Sequence, residues 1–262
     1  MASRAERSMS FGAVAAEYDR LRPAAPPEAV DWLLPTAPDV VVDLGAGTGL
    51  LSRAVAPKAR HVIAIEPDER MRAFLRQRSP GVEVLAGRGE QIPLPAASVD
   101  AVLVASAWHW MERDKAAPEI ARVLRDRGRF GVIWNSRDQS TTWLRSDTWF
   151  AGVASEEGAG GGRGPADRAA ALEWLTHLAE GPGTGGFENF ETQTFRFSRM
   201  MSIPDIADML TTYSRVITAS VEARAAGRAR AIAALTEQYP DAGEIEVAML
   251  CRCWRADRAP RG

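Results

Sequence analysis

The segment Val40-Val41-Val42-Asp43-Leu44, followed by Gly45-Ala46-Gly47-Thr48-Gly49, constrains the fold more than any other part of this chain. A short unbroken apolar run reads as a strand buried on both faces. A parallel sheet with helices on both sides is the arrangement that covers such a strand. The alternate glycines allow positive φ and let a ligand approach the backbone. Leu50–Ala56 reads as a helix whose unpaired N–H groups point back at the loop. The alternation then repeats. His61–Glu66, Val82–Ala86, Val99–Ala105 and Arg129–Trp134 read as strands, and Asp68–Arg78 and Pro118–Arg125 as helices, with Asp68 as N-cap after Pro67. Right-handed crossovers between parallel strands bring their C-terminal ends, and any ligand, to one edge.

The flanks are less regular. Ser10–Arg20 and Pro27–Leu34 read as short helices among five prolines. Residues 140–180 read as helical, broken by the Gly-rich Ser155–Gly164, which is either a gate over a site or a surface loop. Asn189–Phe197 alternates with period two and reads as a half-buried strand; helices follow from Pro204 to Tyr213 and over Val221–Gln238. Ile245–Trp254 reads as the last strand, with Cys251 and Cys253 on one face as ordinary reduced thiols.

Composition removes several function classes. The 262 residues carry 32 basic and 34 acidic side chains, a formal charge of −2 that gives no electrostatic pull toward nucleic acid or anionic membrane. No 18-residue apolar run suggests a membrane span, and Met1–Phe11 lacks an apolar signal core, so a reducing cytoplasm is the expected location. The three histidines are scattered, with no H-E-x-x-H and no C-x-x-C, so no metal site is expected. Signatures of a hydrolase elbow or a P-loop are also missing. Five of the eight tryptophans (Trp108, Trp110, Trp134, Trp143 and Trp149) fall within 42 residues, which suggests an aromatic-walled pocket for a small organic molecule.

Glu66 ends the second strand 21 residues after Gly45, where a carboxylate can accept hydrogen bonds from both hydroxyls of a ribose. That suits an adenosyl ligand of either of two kinds. The dinucleotide pattern G-x-G-x-x-G is not met, because Leu50 stands where its third glycine belongs.

These residues resemble class I S-adenosylmethionine-dependent methyltransferases. Val41-Val-Asp43-Leu-Gly45-Ala-Gly47-Thr-Gly49 is similar to that family's first motif, and Ile65-Glu66-Pro67-Asp68-Glu-Arg-Met71 to its acidic strand end. Gly89-Glu90-Gln-Ile-Pro93-Leu-Pro-Ala-Ala-Ser98-Val-Asp100 and Val123-Leu124 through Gly128 are similar to two later segments, so the likeness runs over Asp39–Trp134. Phe11–Pro23, Trp108-His109-Trp110 and Trp134-Asn135-Ser-Arg137-Asp138 further resemble the type-11 subgroup around trans-aconitate-type enzymes.

The resemblance implies a Rossmann-like, mostly parallel seven-stranded sheet of order 3-2-1-4-5-7-6, its last strand antiparallel. It implies a helical lid over 1–38, a methyltransferase domain over 39–262 and an insertion at about 138–186. Methyl transfer from S-adenosylmethionine to a small molecule follows, most simply to oxygen. Transfer to N, C or S and non-catalytic adenosyl binding stand as alternatives. Asp43 and the Gly45, Ala46, Gly47, Thr48 and Gly49 backbone would hold the methionyl end, with Tyr18 and Arg22 at its carboxylate. Glu66 would take the ribose, and Pro67 and Met71 would flank the adenine. Where many members place an acid and an Ala, this chain has Arg88 and Gly89, so the adenine contact moves to the backbone at Gly89 and Glu90. Ala105, Ser106 and Trp108 would line the methyl path. Trp108, His109, Trp110, Trp134, Arg137 and Trp143 would meet the substrate, with His109 as general base or as packing between tryptophans.

Overall fold

The computed structural model describes residues 15–138, 186–217 and 219–261. Its elements run in chain order as α1 (Ala15–Leu21), α2 (Pro27–Leu33), β1 (Val40–Leu44), α3 (Leu50–Val55), β2 (His61–Glu66), α4 (Glu69–Arg78), β3 (Glu83–Ala86), β4 (Val99–Ala105), a 3-10 turn (Trp108–Trp110), α5 (Arg113–Val123), β5 (Leu124–Arg137), β6 (Phe187–Met201), α6 (Ile203–Thr211), α7 (Ser214–Ile217), α8 (Val221–Gln238) and β7 (Ile245–Arg258). The expected insertion, with Trp143, Trp149 and Ser155–Gly164, lies outside the described residues.

One seven-stranded sheet has the order β3-β2-β1-β4-β5-β7-β6. The pairs from β3 through β5 are parallel, and β7 runs antiparallel between β5 and β6. Period-two alternation divides the central strands between two cores. Val42, Leu44, Ile63, Ile65, Val102 and Val104 face α5 through Ala116, Ala117 and Ile120. Val41, Val62, Ala101 and Leu103 face α2 and α3 through Val30, Leu33, Leu51 and Val55. Both faces of β1 are therefore dry, as its unbroken apolar run requires. Cys251 and Cys253 lie buried on the second face, free, with Sγ atoms 3.6 Å apart.

Several boundaries differ from the sequence expectation, β6 and β7 running longer than their apolar pattern, and those of α5 and β5 have a visible cause. Pro118 does not open α5; it sits inside it, and the helix begins at Arg113 with Glu112 accepting the N–H groups of Lys115 and Ala116. Ala116, Ala117 and Ile120 bury in the core, and that packing outweighs the backbone bond the proline forfeits. The strand expected over Arg129–Trp134 runs from Leu124 to Arg137: an irregularity that includes Arg127 (φ 62°) shifts the register and lets Leu124 pair with Val99 of β4, and antiparallel pairing with β7 carries the strand on to Arg137.

Among the described residues no helix is long and apolar enough to cross a membrane, and no cluster of His, Cys, Asp and Glu could hold a metal ion.

Candidate functional site at the C-terminal edge of the sheet

A cavity of about 490 Å³ opens where β1, β2, β4 and β5 end. Its floor is the loop after β1. The N–H groups of Gly45 and Ala46 donate to the carbonyl of Ile65 at 2.8 and 3.1 Å, tying the loop to β2. Gly49 stands at φ +84° as N-cap of α3, and a Cβ there would lie 2.8 Å from Leu75, so neither the backbone nor the space admits a side chain.

Glu66 joins this loop from the neighbouring strand. One carboxylate oxygen accepts the N–H of Gly47 and the other the N–H of Asp68, each at 2.9 Å. A carboxylate has about four lone-pair sites, so acceptor capacity remains at the cavity wall. Burial raises its pKa, against the two backbone donors that lower it. Arg72 braces the strand end from behind, donating to the carbonyls of Glu66 and Pro67 at 2.7 and 2.8 Å.

Asp43 lies beneath the loop and not on the cavity wall. It is 1% exposed, and the Ser52 hydroxyl donates to Oδ2 at 2.6 Å. Burial pushes its carboxyl up to about 7, which the Ser52 hydroxyl partly offsets. Its place is to pin the first turn of α3 under the glycines.

Thirteen of the sequence-predicted cofactor residues share this cavity: Tyr18, Arg22, Gly45, Ala46, Gly47, Thr48, Glu66, Pro67, Met71, Gly89, Glu90, Ala105 and Ser106. Asp43, Gly49 and Trp108 do not reach it. The departure at Gly89 has a steric cause: a Cβ there would lie 2.6 Å from the Met111 sulfur, and Met111 lines the cavity instead. Beside it, Glu90 accepts the N–H of Glu112 at 2.6 Å and Lys115 pairs with Glu112 at 2.6 Å.

The opposite wall comes from α1, the turn after it and β5. Arg22 donates to the Thr212 carbonyl at 3.0 Å, and its guanidinium carbon lies 5.2 Å from the Tyr18 ring centroid and 4.0 Å from that of Tyr213. Arg137 approaches the same Tyr213 ring at 5.7 Å. Asn135 donates to the carbonyls of Pro23 and Ala24 at 3.0 and 3.3 Å, tying that turn to the end of β5. Asn135, Met111 and Tyr213 were missed by sequence reasoning. Asn135 stood inside a segment already singled out, but nothing local marked Tyr213.

The aromatic cluster is distributed differently from the expectation. Of the tryptophans described, Trp110 lines the cavity. Trp108 is fully buried on Phe130, with ring centroids 5.2 Å apart, and belongs to the core. His109 stacks between Trp110 and Trp134 at 4.8 Å from each and is not among the residues lining the cavity, an arrangement that matches the packing alternative. The reason is the 3-10 turn, which buries its first residue and turns its third to the cavity.

Residues 42–132 match the family model of a methyltransferase domain. The chain is 30% identical over 210 residues to an uncharacterized methyltransferase-like protein of Schizosaccharomyces pombe, covering 78% of this chain and 77% of that one. The chain belongs to the methyltransferase family. An uncharacterized methyltransferase of Mycobacterium tuberculosis is 50% identical over 143 residues, 55% of this chain, and the match spans 59% of that relative's length. Among solved structures, a candidate type II methyltransferase from Anaeromyxobacter dehalogenans superposes with a TM-score of 0.66 at 24% identity, over 92% of this chain and 99% of that one, a likeness of fold. Within this methyltransferase-family fold, the cavity lies at the strand ends where open α/β sheets bind ligands.

Proposed function

We propose that this chain binds S-adenosylmethionine in the cavity and transfers its methyl group to an oxygen of a small organic acid. The observation that carries the reading is the convergence of the Gly45–Thr48 backbone, Glu66, Tyr18 and Arg22 on one cavity. The residues fit the cofactor: a carboxylate with spare lone pairs for a ribose diol, a glycine loop at Gly47 with no atom within 4 Å of a built Cβ, and a guanidinium for a carboxylate. Met71, Pro67 and Met111 supply an apolar slot for the adenine, and the backbone at Gly89 and Glu90 its polar edge.

When bound, the cofactor supplies a methyl carried on a sulfonium. The protein's share is to align the acceptor and exclude water. Ala105, Ser106 and Trp110 border the space between the two walls. No histidine lines the cavity among the described residues, which favours an acceptor that arrives ionised. A carboxylate meets that condition at pH 7. Arg137, beside Tyr213, is the residue we assign to a second acidic group of the acceptor. The N-terminal segment, 1–38, is the part we assign as a lid. The target is a small molecule and not a nucleic acid, met in the cytoplasm.

Two measurements test this. Calorimetry with S-adenosylhomocysteine should give a Kd near or below about 10 μM, in the range set by ~7 kcal/mol of binding; no binding sinks the cofactor. Labelled S-adenosylmethionine offered carboxylic acids, phenols and amines should label a carboxylic acid, and labelling of amines alone would move the acceptor atom to nitrogen.

A further inference from the structure

Arg53, on α3, is used by neither wall, yet it touches both. Its Nη1 donates to the backbone carbonyl of Thr48, in the glycine loop, at 2.9 Å, and to the Ser79 hydroxyl at 3.3 Å. Its Nη2 pairs with Asp19 of α1. The Asp19 side chain is 6% exposed, and its other neighbouring cation is Arg78, at 3.7 Å and more exposed. Asp19 lies next to Tyr18 and one helical turn before Arg22, both on the cavity wall. One guanidinium therefore holds the loop from below and α1 from its side.

We infer that Arg53 is a positioning residue that couples the seating of α1 to the binding of the adenosyl cofactor by the glycine loop. This rests on the cofactor reading of the cavity. The physical basis is twofold. A planar fork with fixed donor directions can serve a carbonyl and a carboxylate together, which a lysine ammonium on a flexible stem cannot do in one geometry. Removing the cation leaves Asp19 as a nearly buried carboxylate short of its closest partner, and lifting α1 into water relieves that. Lifting α1 withdraws Tyr18 and Arg22 from the cavity. Linkage then requires the reciprocal effect: a ligand touching Tyr18 and Arg22 must hold α1 down by the same factor that α1 tightens the ligand.

Trypsin cleavage of the Arg20–Leu21 bond within α1 reports the seat, because a helical bond must open before it is cut. In the native chain, S-adenosylhomocysteine should slow this cleavage. Arg53→Met should raise the Kd for S-adenosylhomocysteine about tenfold, within the usual range of site coupling, and the ligand should no longer slow cleavage. Arg53→Lys should restore part of both effects. Asp19→Asn, a nearly isosteric change on α1, should move both readouts the same way, and combining it with Arg53→Met should add nothing further. A role confined to stability would lower Tm and leave the ligand's effect on cleavage intact.

The failures are distinct. A native chain that does not bind S-adenosylhomocysteine overturns the cofactor reading and the coupling with it. Native binding, with Arg53→Met equal to it in affinity and in ligand-slowed cleavage, overturns the coupling alone. Additive effects of Asp19→Asn and Arg53→Met also overturn it.

Discussion

The wall around Gly45 and Glu66 and the wall around Arg22 and Asn135 face one cavity, but they are held in place by different means. On the first, backbone groups meet the Glu66 carboxylate and the Arg72 guanidinium, all within residues 43–72. On the second, side chains hold distant backbone: Arg22 reaches Thr212 and Asn135 reaches Pro23, separations of 190 and 112 residues. A backbone-built wall needs particular residue types at fixed spacing, because only those types allow the required φ values and close approach. A side-chain wall needs partners that meet only after the sheet has formed, and many sequences meet that need. The first wall is therefore a motif; the second is a meeting place.

Glu66→Ala should produce the largest effect and breaks the comparison if it does not. It leaves the N–H groups of Gly47 and Asp68 without their acceptor, at about 1–3 kcal/mol each, and removes the carboxylate proposed to hold the ribose. Affinity for S-adenosylhomocysteine in calorimetry should fall ~100-fold or more. Glu66→Gln keeps an acceptor oxygen and should lose less.

The next effect is on stability against pH. Asp43 titrates near 7 in the fold, above its ordinary value of 3.8, because it is buried. The folded chain thus binds more protons than the unfolded chain between about pH 4 and 7. Stability from this group is complete below the lower value and is lost as pH rises through the upper. The span amounts to a few kcal/mol, taking roughly 1.4 kcal/mol per unit. Tm of the native chain should fall from pH 5 to pH 8, and Asp43→Asn should flatten part of that slope. Glu66, shifted in the same direction, adds to that slope.

Gly89→Ala comes third. Its Cβ would press on the Met111 sulfur, and overpacking costs about 1–3 kcal/mol. Urea unfolding should show that loss, and in a Met111→Ala background, itself less stable than native, adding Gly89→Ala should cost little more. Unchanged stability in Gly89→Ala would mean that Met111 moves freely, and would dissolve the steric account.

The smallest effect belongs to the aromatic stack behind the cavity. His109→Ala removes two ring contacts, worth ~1 kcal/mol in total, and turnover should stay within about threefold of native. A loss of a hundredfold would favour the general-base role over packing.

Much of the fold could be read in advance because its signals are local. Val40–Leu44, His61–Glu66 and Val99–Ala105 appear with the ends their apolar runs suggested. Pro118 shows the limit. Its local meaning is a helix boundary, yet the burial of Ala116, Ala117 and Ile120 carries the helix through it. In the site, the Gly45–Thr48 loop and Glu66 were legible because close backbone approach restricts residue type. The tryptophans misled for the opposite reason. A large aromatic suits a core as well as a pocket, and only the turn at Trp108–Trp110 decided that Trp108 packs on Phe130 while Trp110 meets the cavity.

By itself, then, the sequence determined the alternation of strand and helix, the glycine floor and its acidic neighbour, since each rests on φ preferences and hydrophobic period within a few residues. Only the tertiary structure decided that Asp43 lies below the floor, that His109 is stacked away from the cavity, and that Arg53 joins the floor to α1. Those depend on which way a side chain faces once distant segments pack, and no local preference encodes that direction.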